Sequence, residues 1–234
     1  MMPWKNTDTT QRAELVAACR ELTRRGLTYG TSGNVSIRSA DSSGFLISPT
    51  GSDYETLQPE DIASLDFDGR WYGRRRPSSE WRFHRDILAA RADVGAIVHT
   101  HSRYATALAC TGRGIPAFHY MVAVTGGTEI RCAPYRTFGT QELSDVALGA
   151  LGRSKTCLLA NHGVIATGAD VHEALKLAGE VENLAAQYSA AVALGDVRIL
   201  DESEMLRVVE KFRTYGKPDA VDAGLIFSGM ERAE

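Results

Sequence analysis

Apolar residues recur at helical spacing in several stretches of the chain. Within residues 10–25, Leu15, Cys19 and Leu22 lie three or four positions apart, so they would share one face of an amphipathic helix. Gly26 follows directly and is a typical helix stop. The same spacing predicts helices at residues 10–25, 81–91, 104–110, 140–151, 171–194 and 202–212.

Short apolar runs between turn residues predict strands. The turn at residues 41–44 and the Asp68-Gly69 turn each separate two such runs, which favours antiparallel hairpins. Later in the chain, strands and helices alternate. We therefore expect an α/β fold: a three-layer sandwich with a central mixed, largely antiparallel sheet flanked by helices. The predicted strands are residues 35–37, 45–48, 63–67, 71–72, 96–98, 128–133 and 155–160.

Composition and charge exclude several classes of protein. The chain has 234 residues and a formal net charge of −3, so no basic field favours nucleic acid. No apolar run has membrane-spanning length, and no secretory leader is visible. The four cysteines are scattered, as expected in a reduced, cytoplasmic protein. We expect one domain over residues 1–217 and an irregular C-terminal tail over 218–234.

Three histidines and a glutamate form a candidate metal site. In a strand, residues two positions apart point to the same face, so His99 and His101 would converge at the end of the 96–98 run. His162 follows another apolar strand. Three histidines with an open fourth position are typical of catalytic zinc, and Glu80 could fill or guard that position. For His99 and His101 alone, an ordinary half-buried pair is the alternative.

Three segments rich in glycine or hydroxyl groups could bind an anion. They are Gly30-Thr-Ser-Gly-Asn34, Pro49-Thr-Gly-Ser52 and Pro77-Ser-Ser-Glu80. Backbone N–H groups in such loops and at helix N-termini favour phosphate. Tight turns, and helix capping by the serines of the third segment, are the alternatives. The first segment is neither a P-loop nor a dinucleotide-binding fingerprint.

Together these motifs resemble the class II aldolase/adducin family. The matching segments are collinear over residues 10–217, and their combination is far more specific than any one of them. They are Gly26-Leu-x-x-Gly-Thr-x-Gly-Asn34-Val-Ser-x-Arg38, Ile47-Ser-Pro-Thr-Gly51, Pro77-Ser-Ser-Glu-Trp-Arg-Phe-His84, Val98-His-x-His101, Ile115-Pro-Ala-x-His-Tyr-Met121, Cys132-Ala-Pro-Tyr-x-Thr-Phe-Gly-Thr140, Asn161-His-Gly163 and Glu210-Lys-Phe-x-Thr-Tyr-Gly216.

The resemblance implies a homotetramer with fourfold cyclic symmetry and active sites at subunit interfaces. It implies one Zn²⁺ per subunit, held by His99, His101 and His162, although other divalent metals could serve. It makes Glu80 a metal neighbour in the empty site and the acid/base once substrate displaces it. The implied phosphate-binding residues are Gly33, Asn34, Thr50, Gly51, Ser78 and Ser79. Tyr120 and Tyr215 are implied catalytic residues at the aldehyde end, with Tyr215 from a neighbouring subunit.

The implied reaction is reversible cleavage of a ketose 1-phosphate, similar to L-fuculose 1-phosphate, to dihydroxyacetone phosphate and an aldehyde such as lactaldehyde. No lysine lies in a motif suited to a Schiff base, which favours the metal route. Cleavage of 5-deoxy- or 5-methylthioribulose 1-phosphate is the first alternative. It would differ only at the aldehyde end, where Phe138 and Phe212 are candidates. Sugar-phosphate 4-epimerases of the family carry Asp in place of Glu80, and the adducin head, an interaction domain, lacks the metal histidines.

Overall fold

The computed structural model describes residues 9–215. The predicted tail at 218–234 and the end of the predicted domain at residue 217 lie outside the described residues. The helices are α1 (Thr9–Arg24), α2 (Trp81–Ala90), α3 (Arg103–Ala109), α4 (Gln141–Leu151), α5 (Val171–Leu194) and α6 (Glu202–Thr214), with 3₁₀ turns at Pro59–Asp61 and Tyr120–Thr125. The strands are β1 (Asn34–Arg38), β2 (Gly44–Ile47), β3 (Ala63–Asp66), β4 (Trp71–Tyr72), β5 (Ala96–Thr100), β6 (Cys132–Ala133), β7 (Thr156–Leu159) and β8 (Gly163–Gly168).

The strands form one sheet in the order β4-β3-β2-β1-β5-β8-β7-β6. Neighbouring strands are antiparallel, except that β6 and β7 run parallel. Buried residues of α1, α3 and α5 pack on one face, and those of α2 and α4 pack on the other. The predicted three-layer sandwich with a mixed, largely antiparallel sheet is confirmed. Among the described residues, no helix combines the length and apolarity that a membrane crossing requires.

Strand β5 lies near the middle of the sheet and is buried on both faces. Ala96 and Val98 belong to the core under α1, α3 and α5, whereas Ile97 belongs to the core under α2 and α4. All five of its residues are buried, which explains why the sequence shows a continuous apolar run before the first histidine. His99 has the orientation of Ile97 and therefore faces the α2 side.

Strand β8 was not predicted from the sequence, and the strand predicted at 128–133 is shorter than expected. Strand β8 is buried along its whole length, so it lacks the alternation of a half-exposed strand, and it follows β7 after only three residues. The strand predicted at 128–133 is limited to β6, with a separate bridge between Ile115 and Ile130. Gly126, at φ 79°, ends the preceding 3₁₀ turn, and an irregular segment follows it.

Two of the predicted anion-binding segments are joined by backbone hydrogen bonds. The N–H of Ser78 donates to the carbonyl of Ser48 (3.0 Å), and the N–H of Thr50 donates to the carbonyl of Arg76 (3.1 Å). Because β1 begins where β5 ends, with Asn34 opposite His99, the first segment (residues 30–34) meets the histidines at the same end of the strands. The topology thus assembles the candidate site from five separate parts of the chain: residues 30–34, 49–52, 77–80, 99–101 and 162.

Candidate metal centre and anion-binding cavity

The three predicted metal histidines converge. His99 lies at the end of β5, His101 just after it, and His162 in the turn between β7 and β8. The Nε2 atoms of His99 and His101 are 3.0 Å apart, and one ring nitrogen from each of the three histidines lies within 4.8 Å of the others. Three imidazoles around one point suit a tetrahedral divalent ion with one position open to substrate.

A hydrogen bond behind His99 sets its tautomer. Nδ1 of the fully buried His99 lies 2.9 Å from the carbonyl oxygen of Val164 in β8. Because a carbonyl only accepts, Nδ1 carries the proton, and in the neutral ring Nε2 presents a lone pair to the other two histidines. Metal-binding histidines are held in the same way. The donor set therefore fits a divalent metal by its chemistry as well as by its spacing.

Glu80 closes the fourth side of the histidine cluster. Its carboxylate is buried, with Oε2 3.2 Å from Nε2 of His99 and Oε1 3.1 Å from Nε2 of His162. Oε2 also accepts a 2.9 Å hydrogen bond from Nδ2 of Asn34. Oε1 is buried against His162. A carboxylate with one oxygen fixed by an amide and the other beside a histidine of the cluster is suited to proton transfer in the adjoining cavity.

The cluster controls the protonation of its own members. Burial raises the pKa of Glu80, but the charges and contacts of His99 and His162 outweigh burial and hold that pKa well below its usual range. Burial, together with His99 and His162, lowers the pKa of His101 to about 3. At neutral pH, Glu80 is therefore ionised and His101 is neutral, which are the forms that bind a metal.

Gly163 permits the close approach of the three histidines. A Cβ on this residue would lie 2.3 Å from the carbonyl oxygen of Thr100, 2.9 Å from Cδ2 of His101 and 3.3 Å from Cε1 of His99. The backbone of β8 must therefore pass β5 without a side chain at this point. The sequence Asn161-His-Gly163 combines a candidate metal ligand with the glycine that makes room for the other two histidines.

Replacing Gly163 with Ala should push β8 away from β5 and displace His99 and His101. We expect a loss of about 1–3 kcal/mol in the free energy of unfolding, typical of overpacking, together with weaker metal binding. Denaturant unfolding and metal titration would measure both effects. Gly179→Ala in α5 is the matched control, since no atom lies within 4 Å of the added Cβ. Wild-type metal affinity in Gly163→Ala would contradict this role.

A cavity of about 290 Å³ opens beside the cluster. His101, His162 and Glu80 line its inner end. All six predicted phosphate-binding residues line it as well: Gly33, Asn34, Thr50, Gly51, Ser78 and Ser79.

The serines before α2 do not cap it in the simple way that the sequence suggested. Glu80 is the N-cap residue, and its side chain makes no capping bond. Ser78 Oγ instead accepts a hydrogen bond from the backbone N–H of Glu80 (3.2 Å). Gly33 has a φ of 80°, a conformation that favours glycine, and its backbone lies close to β5. A Cβ added to Gly33 would lie 2.8 Å from the carbonyl oxygen of His99.

The cavity also contains residues to which the sequence analysis gave no binding role. Tyr135 and Arg136 line it together with Phe138, which was considered only for the aldehyde end. Their loop is held over the site because Nη1 of Arg82 donates to the carbonyl of Gly139 (2.6 Å). Arg136 adds a positive charge to the cavity, and motifs of glycine and hydroxyl residues give no indication of such a charge.

The two predicted catalytic tyrosines lie outside this cavity. Tyr120 and Phe212 stack with ring centroids 6.5 Å apart, and Phe212 meets Tyr215 edge-on at 5.7 Å. Tyr120 is 51% exposed and Tyr215 is 80% exposed. Within one subunit, the two tyrosines lie near each other and apart from the three histidines of the candidate metal site.

The fold and these side chains define an α/β enzyme whose three histidines could hold a metal beside an anion-binding cavity. The family model of the class II aldolase and adducin N-terminal domain matches residues 13–189, and the chain belongs to this family. It is a class II aldolase, a carbon–carbon lyase.

Individual relatives are similar over nearly the whole chain. The 5-methylthioribulose-1-phosphate/5-deoxyribulose-1-phosphate aldolase of Rhodospirillum rubrum is 55% identical over 88% of this chain and 92% of its own. The L-fuculose phosphate aldolase of Escherichia coli K12 is 47% identical over 87% of this chain and 94% of its own. A solved structure of an L-fuculose 1-phosphate aldolase superposes with a TM-score of 0.85 at 37% identity, covering 89% of this chain and 97% of its own.

Proposed function

We propose that the protein is a zinc-dependent aldehyde-lyase that reversibly cleaves a ketose 1-phosphate to dihydroxyacetone phosphate and a short aldehyde. One observation carries the proposal: His99, His101 and His162 converge opposite a buried Glu80, and three of these four side chains line the cavity. This arrangement supports a metal centre and a proton carrier that act on one substrate.

Zn²⁺, held by the three histidines, would supply a Lewis acid for the negative charge that develops when the C3–C4 bond breaks. Glu80 would carry the proton that is transferred in this reaction. The retro-aldol step removes a proton from the C4 hydroxyl, breaks the C3–C4 bond and leaves an enediolate, which needs a proton at C3 to become dihydroxyacetone phosphate. The ionised carboxylate of Glu80 would accept the proton that leaves the C4 hydroxyl and deliver it to C3, so that no proton is gained or lost in the step.

The outer part of the cavity would hold the phosphate. Backbone N–H groups near Gly33 and Gly51 and the hydroxyls of Thr50, Ser78 and Ser79 surround it. The side chain of Asn34 has less freedom than the sequence suggested. Its Oδ1 contacts His84, and one amide hydrogen bonds to Glu80, which leaves one amide hydrogen for a ligand.

We propose that the aldehyde end is completed by a neighbouring subunit in a cyclic homotetramer. Tyr120 and Tyr215 lie in an exposed aromatic group outside the cavity of their own subunit. An exposed aromatic group is a typical element of a protein interface. A neutral tyrosine hydroxyl placed by the neighbour would help to remove the C4 hydroxyl proton, and donate to the aldehyde in the reverse direction. The scattered cysteines support a cytoplasmic location.

Replacing Tyr215 with Phe should reduce kcat by about 100-fold, because it removes a hydroxyl that handles the C4 proton. The KM should change little, since phosphate binding lies at the other end of the substrate. Steady-state kinetics would separate the two effects. Tyr104→Phe, which alters an exposed tyrosine of α3, is the control. Equal kinetics for Tyr215→Phe and wild type would limit Tyr215 to packing.

For the substrate, we propose 5-deoxyribulose or 5-methylthioribulose 1-phosphate ahead of L-fuculose 1-phosphate. The aldolase of R. rubrum named for the first two compounds is 55% identical to this chain. L-fuculose 1-phosphate is the second candidate, because the aldolase of E. coli K12 named for it is 47% identical. The exposed aromatic rings near the aldehyde end, including Phe138, suit an apolar methylthio or methyl group.

The test is release of dihydroxyacetone phosphate from these three compounds and L-rhamnulose 1-phosphate, compared by kcat/KM with and without a chelator. We expect chelator-sensitive cleavage, restored by Zn²⁺, with the 5-deoxy and 5-methylthio compounds preferred. A preference for L-fuculose 1-phosphate would reverse the proposed order of substrates and would still support the aldolase reaction. No cleavage of any compound by zinc-loaded protein would refute the aldolase proposal.

A further inference from the structure

A line of buried polar side chains lies behind Glu80, and the proposed mechanism does not use it. Nδ2 of Asn34 donates to Oε2 of Glu80 (2.9 Å). Oδ1 of the same amide lies 2.5 Å from Nε2 of His84, and Nδ1 of His84 lies 2.7 Å from Oγ of Ser36. His84 and Ser36 are fully buried, and Asn34 is 3% exposed. Such a network, closed to water, must be satisfied from within.

The hydrogen bond from Asn34 to Glu80 sets the direction of the other hydrogen bonds in this line. Because Nδ2 of Asn34 donates to Oε2 of Glu80, the oxygen of the same amide is turned towards His84. The amide oxygen only accepts, so Nε2 of His84 carries the hydrogen. Nδ1 then accepts from the hydroxyl of Ser36. Burial and the neighbouring His99 lower the pKa of His84 to about 3, so the ring has the neutral form that this arrangement requires.

We propose that His84 is a positioning residue for Glu80: acting through Asn34, it fixes Oε2 and so sets the orientation of the whole carboxylate towards the substrate. This inference rests on the proposed role of Glu80 as the proton carrier. The residues come from separate elements, with Asn34 and Ser36 in β1 and His84 in α2. The network therefore ties the start of the helix that carries Glu80 to the strand beside the metal centre.

Packing holds the imidazole of His84 in place. The ring of Phe83 stacks on His84 with centroids 4.5 Å apart and meets His99 edge-on at 5.4 Å. Without a donor at position 84, Oδ1 of Asn34 would be buried with no partner, and the amide would no longer be anchored at that end. The amide would then shift, and Glu80 would lose the contact that sets its orientation. Misplacement of a proton carrier lowers the rate of the chemical step more than it lowers substrate binding.

His84→Phe tests the proposal because it keeps an aromatic ring and removes both hydrogen-bonding nitrogens. In zinc-loaded enzyme we expect kcat to fall about 10- to 100-fold, with KM within about twofold of wild type and the metal content unchanged. His84→Gln should restore most of the rate, because its amide offers one acceptor and one donor, as the neutral imidazole does. Ser144→Ala, which removes a buried hydroxyl of α4 outside this network, is the control.

Three results would overturn the proposal: wild-type kcat in His84→Phe, a raised KM with kcat unchanged, or loss of rate that tracks loss of metal. The second would assign the network to phosphate binding, and the third would assign it to the metal. A melting temperature measured beside the kinetics separates positioning from stability, since a merely structural role lowers the melting temperature and leaves kcat intact. If His84→Phe does not fold, Ser36→Ala applies the same kinetic test with a smaller change.

An independent readout uses the metal-free wild-type protein. Imidazole ¹⁵N NMR should show His84 as the tautomer with hydrogen on Nε2, and the opposite tautomer would overturn the network. This measurement needs no catalysis, so it separates failure of the inference from failure of the proposed function. If wild-type enzyme cleaves no ketose 1-phosphate, the aldolase proposal fails and the role of His84 in catalysis fails with it, whatever the tautomer.

Discussion

Replacing Glu80 with Gln is expected to reduce kcat by about 10²- to 10⁴-fold, the range that one acid/base group supplies. The amide has nearly the shape of the carboxylate, and its oxygen can still accept the hydrogen bond from Asn34. It cannot carry a proton to the substrate, however. Because His99, His101 and His162 remain, the metal content should stay near one per subunit. Turnover of the ketose 1-phosphate and metal analysis of the same sample would measure both.

Asp86→Asn is a suitable control for this prediction. Asp86 is a half-buried carboxylate of the same helix, α2, and it bonds to Ser144 and Gln141 instead of the histidines. A similar loss of rate in both variants would mean that Glu80→Gln acts by disturbing the helix. Wild-type turnover in zinc-loaded Glu80→Gln would remove Glu80 from proton transfer altogether.

The local part of the metal centre could be predicted from sequence, because local geometry determines it. Residues two apart in a strand share a face, and this rule placed His99 and His101 together. No local rule connects either of them to His162, which is more than 60 residues away. His162 was included because it too follows an apolar strand, the resemblance to the family supported that choice, and the structure explains it through the pairing of β5 with β8. The strand that makes the link, β8, was itself missed, because a fully buried strand has no alternating pattern.

The anion-binding cavity likewise combines features that could be predicted from the sequence with features that could not. Glycine and hydroxyl residues identified all three segments, since their backbone freedom and short donors are visible in the sequence. The residues that pack around these segments could not be predicted from the sequence. Arg136 reaches the cavity only because its loop packs on α2 through Arg82, and His84 reaches Asn34 only because α2 packs on β1. Contacts between residues some 50 positions apart depend on the tertiary fold.

The tyrosines set a different limit on sequence reasoning. Tyr120 and Tyr215 were assigned to the active site by resemblance, and within one subunit they lie with Phe212 outside the cavity. Their catalytic role therefore stays a prediction that depends on the proposed tetramer. If Tyr215→Phe lowers kcat as expected, and the enzyme sediments as a tetramer, the exposed aromatic group becomes part of a shared active site.

Replacing His162 with Ala should remove the metal and, with it, chelator-sensitive cleavage. Two histidines would remain, one fewer than the three protein ligands of catalytic zinc sites, because Glu80 is assigned to proton transfer. Loss of a group that merely supports a ligand weakens metal binding by about 10- to 100-fold, so loss of the ligand itself should cost at least about 100-fold. Metal titration and metal analysis after dialysis would measure the change.

The fold should survive His162→Ala, because the residue lies in a turn and its side chain lies outside both hydrophobic cores. The tight conformation of the turn depends on Asn161, at φ 54°, and on the hydrogen bond from the N–H of residue 162 to the carbonyl of Leu159, which Ala can still donate. His172→Ala, an exposed histidine of α5, is the control and should bind metal as wild type does. A full metal load at normal affinity in His162→Ala would exclude His162 as a ligand and leave only the pair at the end of β5, which is too few to hold a catalytic metal without further donors.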